Sequence, residues 1–172
     1  MSLERVKVLG TRLKWLTLTL IILTPMVIVA LLIVEGPFAL TPVSRKIQMF
    51  PEMLTWHRGS IVILISLLTP ACYLLGYYYI YKLFDLYSKG QVFETANILL
   101  IRKAGWILIA IDIVYMIQKI ISGPVFSLLG VTERHITIEL RFSMLVVGIF
   151  VVLVSRVMEM GRELYKQDQL TI

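Results

Sequence analysis

Four long runs of apolar side chains, each bounded by charged or turn-forming residues, partition the sequence: 15–34, 60–81, 104–122 and 138–158. The first two contain no charged side chain. About 20 such residues at 1.5 Å each cover the hydrocarbon of a bilayer, and a helix crosses it with every backbone amide bonded internally. The fourth run has a shorter uncharged core, 142–155, bracketed by Arg141 and Arg156. Both arginines can extend their heads to the interfaces while their stems stay in lipid. The pattern predicts an all-α, integral membrane four-helix bundle with short loops, a single domain over 1–172.

Composition agrees with that reading: 58% of residues are hydrophobic and 16% charged. Four spans with short connections leave no room for a second domain. The net charge of +6 reads as topology and anionic-lipid contact, without the basic groove and interleaved aromatics of a nucleic-acid binder. Cys72, the single cysteine, cannot form an internal disulfide and reads as a small core residue. Arg5, Lys7, Arg12 and Lys14 flank the first run, but that run exceeds a signal peptide's apolar region and ends in Leu-Ile-Val-Glu-Gly-Pro, as a retained helix does.

Charge placement sets direction. Eleven Lys and Arg lie in the N-terminal segment, the 82–103 loop and the tail with Arg156 just before it, against six in the remaining parts, Lys119 included. That excess assigns both termini, the loop 82–103 and the tail 159–172 to the cytoplasm of a bacterial inner-membrane protein. Tyr77, Tyr78, Tyr79 and Tyr81 fit the headgroup level at the end of the second helix. Pro25 and Pro70, each preceded by Leu-Thr, fall near mid-membrane and are expected to kink their helices, as packing geometry or as a hinge.

Asp112 is the foremost candidate for chemistry. An acid at mid-depth costs about 2.5–3.5 kcal/mol on insertion scales, so it needs a partner, a proton or water. Tyr115 and Lys119 follow at three and seven positions and share its helical face, extended by Gln118 and Ser122. Two readings stay open: an ion, proton or ligand path, or an internal polar network that sets helix register. His57 and His135 fall in outer loops, with Glu35, Glu52, Glu133 and Glu139 nearby, but no third ligand has a recognisable metal spacing, and solvated loop histidines are the plainer reading. Gly36-Pro37 and Gly123-Pro124 are expected to end the first and third helices, 47–56 to lie on the membrane surface, and Thr132 to cap the fourth helix.

The cytoplasmic segments carry two motifs. Leu86-Tyr87-Ser88-Lys89-Gly90 opens a turn, followed by Phe93 and Asn97 and a helical stretch predicted to lie in the interface before the third span. The tail ends in Asp168-x-Leu170-Thr171-Ile172, an apolar cap on a polar stem. Together they resemble the bacterial membrane proteins grouped as domain of unknown function 2975, over most of the chain. Gln167-Asp168 supplies one acid where that group often shows two. The group has no established activity. Its frequent encoding beside a small helix-turn-helix regulator implies a membrane protein that holds or releases a transcription factor. Lys89, Gly90, Phe93, Asn97, Asp168, Leu170, Thr171 and Ile172 would then be structural or docking positions.

The leading expectation is a non-enzymatic inner-membrane regulator of such a cytoplasmic partner, with no nucleic-acid binding of its own and no cofactor. The alternatives are an oligomeric ion, proton or small-molecule transport component, and an accessory subunit of a larger membrane complex. Transport would need a homo-oligomer, whose close helix contacts Gly105 and Gly148 would permit. No nucleophile elbow, zinc-binding helix, phosphate loop or pair of catalytic acids is present.

Overall fold

A computed structural model describes residues 3–36, 40, 50, 52, 55–91, 94–134, 136 and 138–170. The helices are α1 (Leu3–Glu35), α2 (Trp56–Ser66), α3 (Leu68–Ser88), α4 (Thr95–Leu128) and α5 (Ser143–Leu170). Helices α2 and α3 form one rod broken at Leu67, so the architecture is all-α with four rods. Among the described residues, three stretches are long and apolar enough to cross a membrane: Glu4–Glu35, Trp56–Ser88 and Ser143–Leu164. Helix α4, with 34 residues, carries most of the buried polar side chains.

The rods lie in a row in chain order. Helix α1 packs on α3, α3 on α4, and α4 on α5, while α1 makes no close approach to α4 or α5. Neighbours are antiparallel, so both terminal helix ends and the turn at Gly90 share one end of the molecule. Helix α1 meets α3 there through Lys14 and Asp85, 2.5 Å apart, and α4 meets α5 through Arg102 and Glu159 at 2.6 Å. Two seams need the absence of a side chain. A Cβ on Gly10 would lie 2.8 Å from the Ser88 amide, and one on Gly148 2.7 Å from the Gly105 carbonyl oxygen. Gly105 and Gly148 therefore face each other within the chain, at the crossing of α4 and α5.

Burial is inverted relative to a water-soluble domain. Asp112, Gln118, Lys119, Ser122, Asn97 and Ser155 are buried, while Trp15, Met26, Ile33, Leu64, Trp106 and Phe150 are exposed. Apolar surroundings suit such a surface, because lipid carries no penalty for apolar side chains but a heavy one for unbonded polar groups. The threonines of α1 conform: Thr11, Thr17, Thr19 and Thr24 each donate to the carbonyl four residues earlier.

Several boundaries differ from those the pattern predicts. The first helix starts at Leu3, not 15, and the second covers 56–88, not 60–81. Helix α4 covers 95–128 instead of 104–122, absorbing the predicted interfacial stretch and running through Gly123-Pro124. Pro124 withholds only the one amide that would bond the Ile120 carbonyl, and the helix runs on past it to Leu128. The stop is instead Gly130, at φ 69°, with the Gly130 amide bonded to Ser127 and the Val131 amide to Phe126.

The fourth helix begins at Ser143, not 138, and continues to Leu170. Residues 138–142 are not helical, and Thr132 lies far from the helix start it was expected to cap. Most of the predicted surface segment 47–56 lies outside the described residues.

Candidate functional site

The α4 strip is the polar centre of the molecule. Asp112, near the middle of α4, has 0% of its surface exposed. Its Oδ2 accepts hydrogen bonds from the backbone amides of Met144 at 2.8 Å and Leu145 at 2.9 Å, in the first turn of α5. Those amides have no partner inside their own helix, and the helix dipole there favours a negative charge. Asp112 thus caps α5 from across the interface, and α5 starts only halfway along α4.

Residues 138–142 lie alongside the second half of α4. Side chains alternate here: Ile136, Ile138, Leu140 and Phe142 are exposed, while Glu139 and Arg141 bond toward α4. Lys119 Nζ lies 2.8 Å from Glu139 Oε2, and the Tyr115 hydroxyl donates to the same oxygen at 3.2 Å. Arg141 Nε stands 3.8 Å from Asp112 Oδ1, an ion-pair distance without a hydrogen bond. The Lys119 and Arg141 cations lie 5.6 and 5.4 Å from the Tyr115 ring centre. Two acids and two bases thus alternate around one tyrosine, and the charges cancel locally. Lys119 holds the Glu139 carboxyl below the ordinary glutamate range. Residues two apart share a face in an extended chain but sit about 200° apart on a helix. Pairing both Glu139 and Arg141 with α4 therefore explains why 138–142 is not helical.

Gln118 belongs to a second junction. Pro70 has no amide hydrogen to bond the Ser66 carbonyl, and the rod breaks just before it at Leu67. The Gln118 amide nitrogen of α4 donates to the carbonyls of Ile65 at 2.9 Å and Ser66 at 3.4 Å, and its oxygen accepts from the Thr69 hydroxyl. A neighbouring helix has filled the gap, a known accommodation of proline in apolar surroundings.

At the opposite end, Asp85 bonds both Lys14 and Lys89, at 2.5 and 2.7 Å, tying α1 to the last turn of α3. Gly90 at φ 82° closes α3, with its amide bonded to Tyr87 and that of Gln91 to Leu86. Asn97 is 0% exposed, and its side-chain amide donates to the Gln91 carbonyl at 2.5 Å. It locks the turn onto α4 and presents nothing to a partner, whereas Lys89 is exposed. Phe93, Thr171 and Ile172 lie outside the described residues, as do the side chains of Asp168 and Leu170.

A family model described as "Protein of unknown function (DUF2975)" matches residues 11–172. The chain belongs to this family. The DUF2975 match takes in the strip, the glycine turn and the tail together. No curated protein and no solved structure gives a significant match.

Sequence spacing alone brings Asp112, Tyr115 and Lys119 together. It misses their partners, Glu139, Arg141 and the α5 amides. The signal for the first two was the period-2 alternation within 136–142, masked by reading that stretch as part of an apolar helix. Among the described residues no three His, Cys, Asp or Glu side chains converge as metal ligands would. His57 is exposed at the start of α2, and His135 lies outside the described residues.

Proposed function

We propose that this DUF2975 chain is a non-enzymatic, multi-pass protein of the bacterial inner membrane that docks a small cytoplasmic helix-turn-helix regulator and limits its access to DNA. The observation that carries the reading is the reach of α5. It continues past Glu159, its last ion pair with α4 among the described residues, to Leu170, and exposes Met160 and Leu164 at the end of the molecule that carries the Gly90 turn. A helical stem of mixed charge with exposed apolar side chains offers the amphipathic surface that a small helical partner packs against. The eleven-to-six excess of Lys and Arg favours the cytoplasm for that end.

The test is affinity purification of the full chain from cell membranes, with identification of any small helix-turn-helix protein that comes with it. Co-purification that weakens when 160–172 are deleted is expected, and no association in any growth phase would sink the proposal. The alternative, an oligomeric ion or proton path along Asp112, Tyr115 and Lys119, has less support. Both charged members of that strip are matched within the chain. Gly105 and Gly148, which an oligomer could have used, are spent on the α4–α5 crossing.

A further inference from the structure

Where α3 and α4 run out of their apolar stretches, four side chains form a continuous chain of contacts across the seam. Lys103 of α4 lies 5.7 Å from the Tyr79 ring centre, Tyr79 meets Tyr78 edge-on at 5.7 Å, and Lys82 lies 4.6 Å from the Tyr78 ring centre. Each of the two ammonium groups rests on a tyrosine ring. Lys14, Lys89, Arg102 and Arg156 each bond a carboxylate, but Lys82 and Lys103 meet none among the described residues. Both are exposed. A ring face holds an ammonium in place through its quadrupole yet leaves its N–H donors free for an anion.

The surface one turn further into the apolar region has the complementary character. Leu75 lies on the Tyr78–Lys82 face of α3, Trp106 lies one turn beyond Lys103 on α4, and both are exposed. Beneath them α3 and α4 are in contact, with Ile107 only 3.4 Å from where a Cβ on Gly76 would stand. Cations at one level and exposed hydrocarbon immediately below match the two parts of an anionic phospholipid. We propose that Lys82, Lys103, Tyr78 and Tyr79, with Leu75 and Trp106, form a binding site for one anionic phospholipid: the lysines take the phosphate and the apolar pair takes the acyl chains. A soluble acidic partner would have no use for the exposed Leu75 and Trp106. The inference rests on the membrane half of the function proposed above and does not depend on the regulator.

The test reconstitutes the full chain in phosphatidylcholine vesicles containing phosphatidylglycerol and measures the relative association of spin-labelled phosphatidylglycerol and phosphatidylcholine. A lysine near a headgroup contributes roughly fivefold. The wild type is therefore expected to prefer phosphatidylglycerol several-fold, and Lys82→Gln with Lys103→Gln to bring the ratio near one. Lys82→Arg with Lys103→Arg keeps the preference, which separates lost charge from a lost fold, and Lys89→Gln at the same end also keeps it. An undiminished preference in the double glutamine variant would overturn the site. So would its abolition by excess inorganic phosphate, which would assign the cations to a free anion. Flotation with the vesicles without any headgroup preference removes the site alone, and failure to float removes the membrane reading with it.

Discussion

The side-chain amide of Gln118 sits in the gap that Pro70 opens in the neighbouring rod, bonding the carbonyls of Ile65 and Ser66. The two residues are 48 positions apart (118 − 70) and lie on different helices. Proline breaks the ladder and the glutamine closes it, so the pair acts as one junction between α2, α3 and α4.

That pairing is open to a double-mutant cycle. Gln118→Leu leaves buried carbonyls unbonded and should cost about 1–3 kcal/mol. In a Pro70→Ala background the restored amide can serve Ser66 directly, and the cost should shrink. Unfolding of the four variants in detergent gives the coupling, and strictly additive losses would separate the two residues.

Asp112 holds α5 by two backbone bonds, so removing its acceptor should matter more than removing its charge. Asp112→Asn keeps an oxygen for Met144 and Leu145 and should lose about 1 kcal/mol, whereas Asp112→Ala should lose about 2–3 kcal/mol. Hydrogen exchange at the Met144 and Leu145 amides reports the same event locally. Equal losses from both variants would mean that the charge, not the cap, is what α5 needs.

Gly105→Ala and Gly148→Ala both force backbone apart, since the new carbons would lie 2.7 Å from Val152 Cγ2 and from the Gly105 oxygen respectively. Each should destabilise by about 1–3 kcal/mol. Gly161→Ala meets nothing within 4 Å and should gain roughly 0.5–1 kcal/mol of helix propensity. Thermal melts of the three variants in detergent rank them.

Acid should loosen the 138–142 segment before it loosens the helices. Lys119 holds the Glu139 carboxyl below its ordinary range, about 4.3 for glutamate. The folded value is depressed, so the stability this ion pair contributes is complete above the ordinary range and is lost as pH falls through the depressed value. Glu139→Gln should therefore flatten the acid limb of stability below about pH 4.3 and leave the pH dependence at neutrality unchanged. An unaltered acid limb would show that another group controls it.

Disulfide trapping tests the row of helices. In a Cys72→Ser background, cysteines at Gly10 and Tyr87 should cross-link within one chain, because a Cβ on Gly10 would stand 3.0 Å from that of Tyr87. Cysteines at Trp15 and Val157, on α1 and α5, should not, since these helices make no close approach. A rapid intrachain Trp15–Val157 bond would close the row into a ring.

The sequence by itself determined how many rods there are, that they alternate in direction, and that Asp112, Tyr115 and Lys119 share a face. Each of these follows from local spacing: apolar runs set the helices, short connections reverse them, and a 3.6-residue period aligns the strip. The helix ends were less legible. The Gly123-Pro124 pair reads as a stop, yet the two bonds that close α4 form around Gly130. Only the tertiary structure decided what lies across from each polar side chain: Glu139 opposite Lys119, the α5 amides opposite Asp112, broken helix opposite Gln118. Those partners arise from the register of segments far apart in the chain. Periodicity along one helix states which residues look the same way, but carries no information about what they meet.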